Sequence, residues 1–407
     1  MQALRRACLL LILLCLPLLA LAQATSTQMP ASNPRIGVAT MLPGTIFFER
    51  FGHDSLLVQD PATGATTSYN FGFFDLDEPG FIRRFIHGDM QYMLVALPFE
   101  QDLGYYDQVG RGVSVQWLDL EPAQARQLAA ALAHNALPEN ARYRYDYFTD
   151  NCATRVRDAI DEALGGTLQR QLQVSSHGRS YRGEAVRLAS PSPLMALAFD
   201  IGLGPSADMP LNRWQESFIP MSLADGLRQA RLADGRPLVA LEQELLPHRT
   251  DPEPQASPRP WWPWLLAGLG LGIGVMVLLA RKPRLATGLL LPLWLLLGLL
   301  GTVMAYAWGF TEHRFAWANQ NLLLFSPLCL LLLPGAIAVL RGRKPGPLFR
   351  SVLLAIAVTS LLAIMQSWLL VLPVQRNAHW VALLAPLHLA VAWGWWRRPR
   401  QTLAAGH

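Results

Sequence analysis

The sequence is poor in cysteine. It has four in 407 residues. Cys8, Cys15 and Cys329 lie in strongly apolar stretches, which leaves Cys152 alone in the polar part of the chain. So few cysteines exclude a disulfide framework, and the lack of a C-x-x-C argues against thioredoxin-like exchange. No Cys/His spacing suits zinc, and no Walker or dinucleotide glycine pattern occurs. No metal and no cofactor are therefore expected. Charge is scarce as well. Only 15% of residues are charged against 52% hydrophobic, which is too apolar for one ordinary soluble domain. The net charge of +5 sits largely in short basic loops between apolar segments, and no nucleic-acid partner is expected.

The apolar excess has a plan. The chain begins "MQALRRACLLLILLCLPLLALAQA", with Arg5 and Arg6 ahead of an apolar run and small residues at Ala20 and Ala22. This reads as a signal peptide over 1–22, cleaved before Gln23 or slightly later; an uncleaved anchor would also carry the adjoining domain across the membrane. After residue 260, spans are expected near Trp264–Ala280, Leu285–Phe310, Asn321–Leu340, Leu348–Leu372 and Ala378–Trp396, judged against the ~20 residues that cross a bilayer core. The loops "RKPR" (281–284), "RGRKPGPLFR" (341–350) and "RRPR" (397–400) are basic, whereas "TEHRFAWANQ" (311–320) and "PVQRNAHW" (373–380) are less so. Basic loops stay cytoplasmic. Five spans then place residues 23–260 in the periplasm of a bacterial inner membrane protein with a cytoplasmic C-terminus. "PHRTDPEPQASPRP" (247–260) reads as a Pro-rich linker between a domain at 23–246 and a helical membrane domain at 261–400.

Residues 23–246 mix strands and helices. "HDSLLVQD" (53–60) and "ATTSYNFGFF" (65–74) read as a hairpin around the turn "PATG". "VSVQWLDL" (113–120) and "RYRYDYF" (142–148) alternate as strands, and Pro122 opens a helix to about Leu137. A second helix starts at Cys152, where Thr149, Asp150 or Asn151 can cap it, and Cys152 shares a face with Val156, Ile160 and Ala163. A thiol in a first helical turn meets free N–H groups and the positive end of the dipole. Its pKa is expected to fall, and the same N–H groups suit an oxyanion. Burial as a structural residue is the commoner fate of a lone cysteine, and both readings stand on this segment alone.

A thiol nucleophile needs a base. The candidates are His53, His87, His134, His177 and His248. His53 opens a strand, so the sheet fixes its direction, whereas the others lie in loops, at a helix end or in the linker. A strand-borne base beside a thiol on a helix N-terminus is the papain-type arrangement. Tyr69 and Asn70 on the neighbouring strand are candidates to orient His53, while Asp54 points to the opposite face. Asn151 and Arg155 are candidates for orienting or oxyanion contacts. His313, Asn319 and Asn321 fall at the periplasmic edge of the membrane domain and are candidates for a lipid headgroup site.

"FGHDSLLVQDPATGATTSYNFGFFD" (51–75) followed by "YDYFTDNCATRVRDAID" (145–161) resembles the periplasmic domain family named after the bacterial lipoprotein N-acyltransferase Lnb. "WQESFIPMSL" (214–223) is similar to the family's closing segment. The order His before Cys also resembles the circularly permuted papain-like domains of lecithin:retinol acyltransferase relatives. The resemblance implies an α+β, permuted papain-like Cys-His domain followed by an all-α bundle of about five transmembrane helices. It implies a thiol acyltransferase with Cys152 and His53 as its pair. A membrane lipid would donate an acyl chain through a Cys152 thioester to an amine, the N-terminus of a lipoprotein. Two alternatives remain open: a thiol hydrolase acting on cell wall or lipid, and a non-catalytic membrane module.

Overall fold

The structure, a computed structural model, describes residues 33–257, 260–369 and 375–398. The expected signal peptide, with Cys8 and Cys15, lies outside the described residues, as does the end of the fourth expected span.

Among the described residues, seven strands form one antiparallel sheet: β1 (Arg35–Met41), β2 (His53–Gln59), β3 (Thr66–Phe73), β4 (Met90–Pro98), β5 (Val113–Leu118), β6 (Arg142–Tyr145) and β7 (Val239–Leu246). Their order is β6-β4-β3-β2-β1-β5-β7. The alternating runs expected at 53–60, 65–74, 113–120 and 142–148 are β2, β3, β5 and β6. Among the described residues, nine helices accompany them: α1 (Phe81–His87), α2 (Phe99–Gln108), α3 (Pro122–Asn135), α4 (Cys152–Ala163), α5 (Thr167–Leu172), α6 (Tyr181–Ala189), α7 (Pro193–Gly202), α8 (Arg213–Glu216) and α9 (Pro220–Gln229).

Both faces of the sheet are covered, so β2 carries two apolar sets. Leu56 packs with Val156 and Ile160 of α4 and Leu128 and Leu132 of α3. Leu57 packs with Phe99 and Tyr106 of α2. Because side chains alternate along a strand, the register fixes every residue of β2 to one side. Met41 pairs with His53 and Thr40 with Asp54. His53 therefore lies on the α2 side and Asp54 on the α4 side. Burying Val156 and Ile160 stabilises α4 by roughly 1.5–3 kcal/mol each, and Asn151 starts the helix by accepting the Thr154 N–H at 3.0 Å.

The membrane part holds α10 (Trp262–Arg281), α11 (Pro283–Phe310), α12 (Leu333–Leu340), α13 (Pro347–Leu369) and α14 (Ala378–Trp396). Among the described residues, α10, α11 and α13 contain stretches long and apolar enough to cross a membrane. The third expected span is not one helix. Short 3-10 turns precede α12, and the pair Arg314–Leu323 and Pro327–Leu340 bends by 44°. Pro327 cannot donate a backbone hydrogen bond and biases Ser326 away from helix, which explains the break. Gly268 and Gly272 let α10 and α14 approach closely. A Cβ on Gly268 would stand 2.5 Å from the Leu383 carbonyl oxygen, the small-residue contact that membrane helices use.

The linker does not run free. Its His248 Nδ1 accepts the Gly112 N–H at 3.0 Å, and Arg249 pairs with Asp107 at 2.8 Å. Glu253 pairs with Arg187 at 2.6 Å. Residues 248–253 are thus strapped along the domain.

Candidate active site

Cys152 opens α4 where the start of β2 meets the end of β3. Its sulfur faces the N–H groups of Asp54, Ala153 and Cys152 itself, all of which favour a thiolate. Burial opposes them and wins. The surroundings are apolar and aromatic, with Tyr143, Tyr145 and Tyr106 within electrostatic range. Desolvation first, then the Asp54 carboxyl, push the thiol up to about 12. The low pKa expected from the helix terminus is corrected: the dipole acts, but loss of water outweighs it. Cys152 keeps part of its surface accessible, so a substrate can reach it. Gly72 makes room there at φ +93°. A Cβ on it would stand 3.6 Å from the Tyr145 ring and 3.9 Å from the Cys152 Cβ.

His53 is held by a chain of side chains on the α2 side. Its Nε2 lies 2.9 Å from the Asn70 Oδ1. The Asn70 Nδ2 donates to the Ser68 Oγ at 3.0 Å and to the Asp102 Oδ2 at 2.8 Å. With both amide hydrogens engaged, the Asn70 oxygen accepts, so His53 donates from Nε2 and leaves Nδ1 as its free lone pair. Burial first, with Arg111 nearby, lowers the His53 pKa, so the imidazole is neutral and able to take a proton.

Thiol and imidazole are one peptide apart but not hydrogen-bonded. The sulfur meets the backbone N–H of Asp54, the residue that follows His53 at the start of β2. Of the two orienting candidates, Asn70 contacts His53, whereas Tyr69 packs with Leu56 and Val156 in the opposite core. Asn151 is occupied as the helix cap and by donating to the carbonyls of Tyr147 and Phe218. Arg155 pairs with Asp150 at 2.8 Å and lies over the Tyr143 ring at 4.2 Å. The other histidines stand elsewhere: His87 against α11, His134 on Asn140, and His177 on Glu216.

Sequence reasoning missed Asp102 and the setting of Asp54. Asp102 had a signal, because Phe99, Asp102 and Tyr106 share the buried helical face. Asp54 is fully buried, its Oδ1 accepts from Thr40 at 2.7 Å, and its Oδ2 has no partner. Burial raises its pKa from 3.8 to about 7. Between those values the folded protein keeps a proton that the unfolded chain has released. The stabilisation is therefore complete below the unfolded pKa and is lost as pH rises through the folded one. Asp54→Asn should stabilise the fold more at pH 8 than at pH 4, by a difference on the order of a few kcal/mol, read as a larger gain in melting temperature at pH 8. Equal gains at both pH values would contradict a buried, proton-binding carboxyl.

The expected headgroup site at His313, Asn319 and Asn321 is corrected to a joint between the two parts of the chain. Asn319 donates to the carbonyls of Ile201 and Gly202 at 2.8 and 2.9 Å, and Asn321 donates to Ile201 at 2.9 Å. Their oxygens accept from Gln375 and Asn377. Both residues are buried and face protein partners rather than the lipid. His313 is held between the Tyr147 hydroxyl at 2.9 Å and the Phe85 carbonyl at 3.0 Å. His379 and Trp380 converge on the Asp200 carboxylate at 2.8 and 2.9 Å. Buried polar groups cost free energy unless paired, so this network fixes the sheet domain on the membrane part.

Such a layout defines a class: a sheet domain with a helix-terminal thiol beside a strand-borne imidazole, rigidly mounted on membrane-spanning helices. Two family models match it, the Lnb N-terminal periplasmic domain over residues 23–184 and the Lnb transmembrane domain over residues 256–398. The chain belongs to the Lnb family. It is a membrane-anchored protein with a periplasmic N-terminal domain, and membership ties it to lipoprotein processing. No curated protein and no solved structure matches the chain.

Proposed function

We propose that this protein is a thiol acyltransferase of the inner membrane that moves an acyl chain from a lipid ester to an amine, the N-terminus of a bacterial lipoprotein. The observation that carries the reading is the His53–Asn70–Asp102 chain ending one peptide from a thiol that faces three backbone N–H groups. In the first half-reaction the Cys152 proton passes to the His53 Nδ1 as the sulfur attacks the ester carbonyl. The pair is neutral at rest, so proton transfer accompanies attack rather than preceding it. The N–H groups of Asp54 and Ala153 stabilise the oxyanion. The C–O bond breaks, and the leaving alcohol takes the proton from His53. In the second half the amine attacks the thioester and loses a proton to His53. The C–S bond breaks, and the thiolate recovers that proton. The strand-borne His and helix-borne Cys follow the permuted papain-like order, and Ala378–Trp396 serves as a fifth span.

One observation favours a second reading, a non-catalytic module. A thiol pushed up to about 12 by burial is what a structural cysteine shows. Mass spectrometry of lipoprotein N-termini, from cells with and without the protein, separates the readings. The acyltransferase predicts an extra acyl chain on the N-terminal amine that disappears with the protein and with Cys152→Ser. Unchanged lipoproteins, together with loss of acyl chains from lipid, would point to water as the acceptor and to a hydrolase.

A further inference from the structure

Near the thiol, the sheet domain exposes large apolar side chains where a soluble domain would place polar ones. The 3-10 turn Phe47–Glu49 leads into β2, and the loop after β3 leads into α1. Phe47, Phe48, Leu76, Ile82 and Ile86 each expose half or more of their surface. The segments are neighbours: the Phe48 and Phe74 rings lie 5.4 Å apart, and the Phe74 and Phe81 rings 5.7 Å apart. On α1 the exposed Ile82, Phe85 and Ile86 follow i, i+3, i+4 spacing, with the exposed Arg83 and His87 beside them. An apolar stripe with a cation, here Arg83, beside it is how an interfacial helix meets a lipid surface.

Continuity with the membrane helices identifies the occupant. The Glu312 N–H donates to the His87 carbonyl at 2.7 Å, and the His87 ring lies 6.3 Å from that of Tyr306 near the end of α11. Trp308 and Phe310 are exposed on the same last turns of α11. The aromatic run also leads inward. Phe74 lies 5.0 Å from Tyr92, and Tyr92 lies 4.3 Å from Tyr145, which borders the space at Gly72 beside Cys152.

We propose that α1 and the Phe47–Glu49 turn form a rim that dips into the acyl-chain region of the periplasmic leaflet, so that a lipid ester reaches Cys152 without leaving the bilayer. The delivery step rests on the acyl-transfer reading; the insertion does not. The test uses the full chain in lipid nanodiscs, with Cys8, Cys15 and Cys152 changed to Ser and Cys329 to Ala. Single variants Phe48→Cys and Ile82→Cys carry an environment-sensitive fluorophore. Ala62→Cys in the β2–β3 turn, at the far end of the strands, serves as the water-exposed reference. Labels at Phe48 and Ile82 should emit to the blue of the Ala62 label. Nitroxides on lipid acyl chains should quench them about twofold or more strongly than the Ala62 label, whereas aqueous iodide should quench them less. Iodide quenching equal to that at Ala62 would overturn the rim. With Cys152 absent, no acyl transfer enters the readout, so this result and the failure of the acyltransferase reading remain distinguishable.

Discussion

Replacing Cys152 by Ser should lower acyl transfer by roughly a thousandfold or more, while abundance and membrane insertion stay near wild type. The hydroxyl is close in size to the thiol and can accept the same N–H groups of Asp54 and Ala153 that face the sulfur. Asn151, not Cys152, caps α4, so the helix keeps its start. What changes is chemistry, since a hydroxyl surrenders its proton far less readily than a thiol. The buried setting that pushes the thiol up to about 12 penalises an alkoxide as well. Resting wild-type Cys152 should therefore react slowly with iodoacetamide at pH 7 and faster as pH rises. Wild-type acyl transfer by Cys152→Ser would make the cysteine structural and put the nucleophile elsewhere in the protein.

Much of this arrangement was legible because it is local. The alternation of "HDSLLVQD" marks β2, and Asn151 ahead of a 3.6-residue apolar repeat marks the start of α4. Neither pattern says which side of the sheet a helix covers. That is why His53 and Cys152 were readable as neighbours, whereas the burial of Asp54 beneath α4 and of His53 beside α2 was not. The thiol pKa escaped for a related reason: a helix terminus is visible in sequence, whereas the ring of Tyr106, Tyr143 and Tyr145 is assembled from separate elements. Asn319 and Asn321 read as boundary residues because their partners, the carbonyls of Ile201 and Gly202, lie more than a hundred residues away. The proline content of 247–260 marked a linker, yet Arg249 and Glu253 find partners across the domain that no local pattern announces.

The separation of the pair makes its coupling the sharpest test. If His53 takes the Cys152 proton in the step that forms the acyl-enzyme, His53→Ala and Cys152→Ala should each remove most of the rate. The double variant should be little slower than either alone, because residues acting in one step are strongly non-additive. Effects that multiply would instead give His53 an independent task, such as gripping the substrate. Asn70→Ala supplies the intermediate case. Losing it removes the acceptor for the His53 Nε2–H and the link to Asp102, while leaving Nδ1 in the chain. It should cost on the order of tenfold to a hundredfold through a misoriented base, with the loss centred on kcat rather than KM. Trapping adds a direct view. Wild-type protein given lipid should gain one acyl mass on Cys152, labile to hydroxylamine as a thioester is. His53→Ala should gain it slowly or not at all, because no neutral base then stands one peptide from the thiol. An adduct forming at the wild-type rate in His53→Ala would remove His53 from proton transfer. It would turn attention to Asp54, whose carboxyl acts on the thiol and is pushed up by burial to about 7.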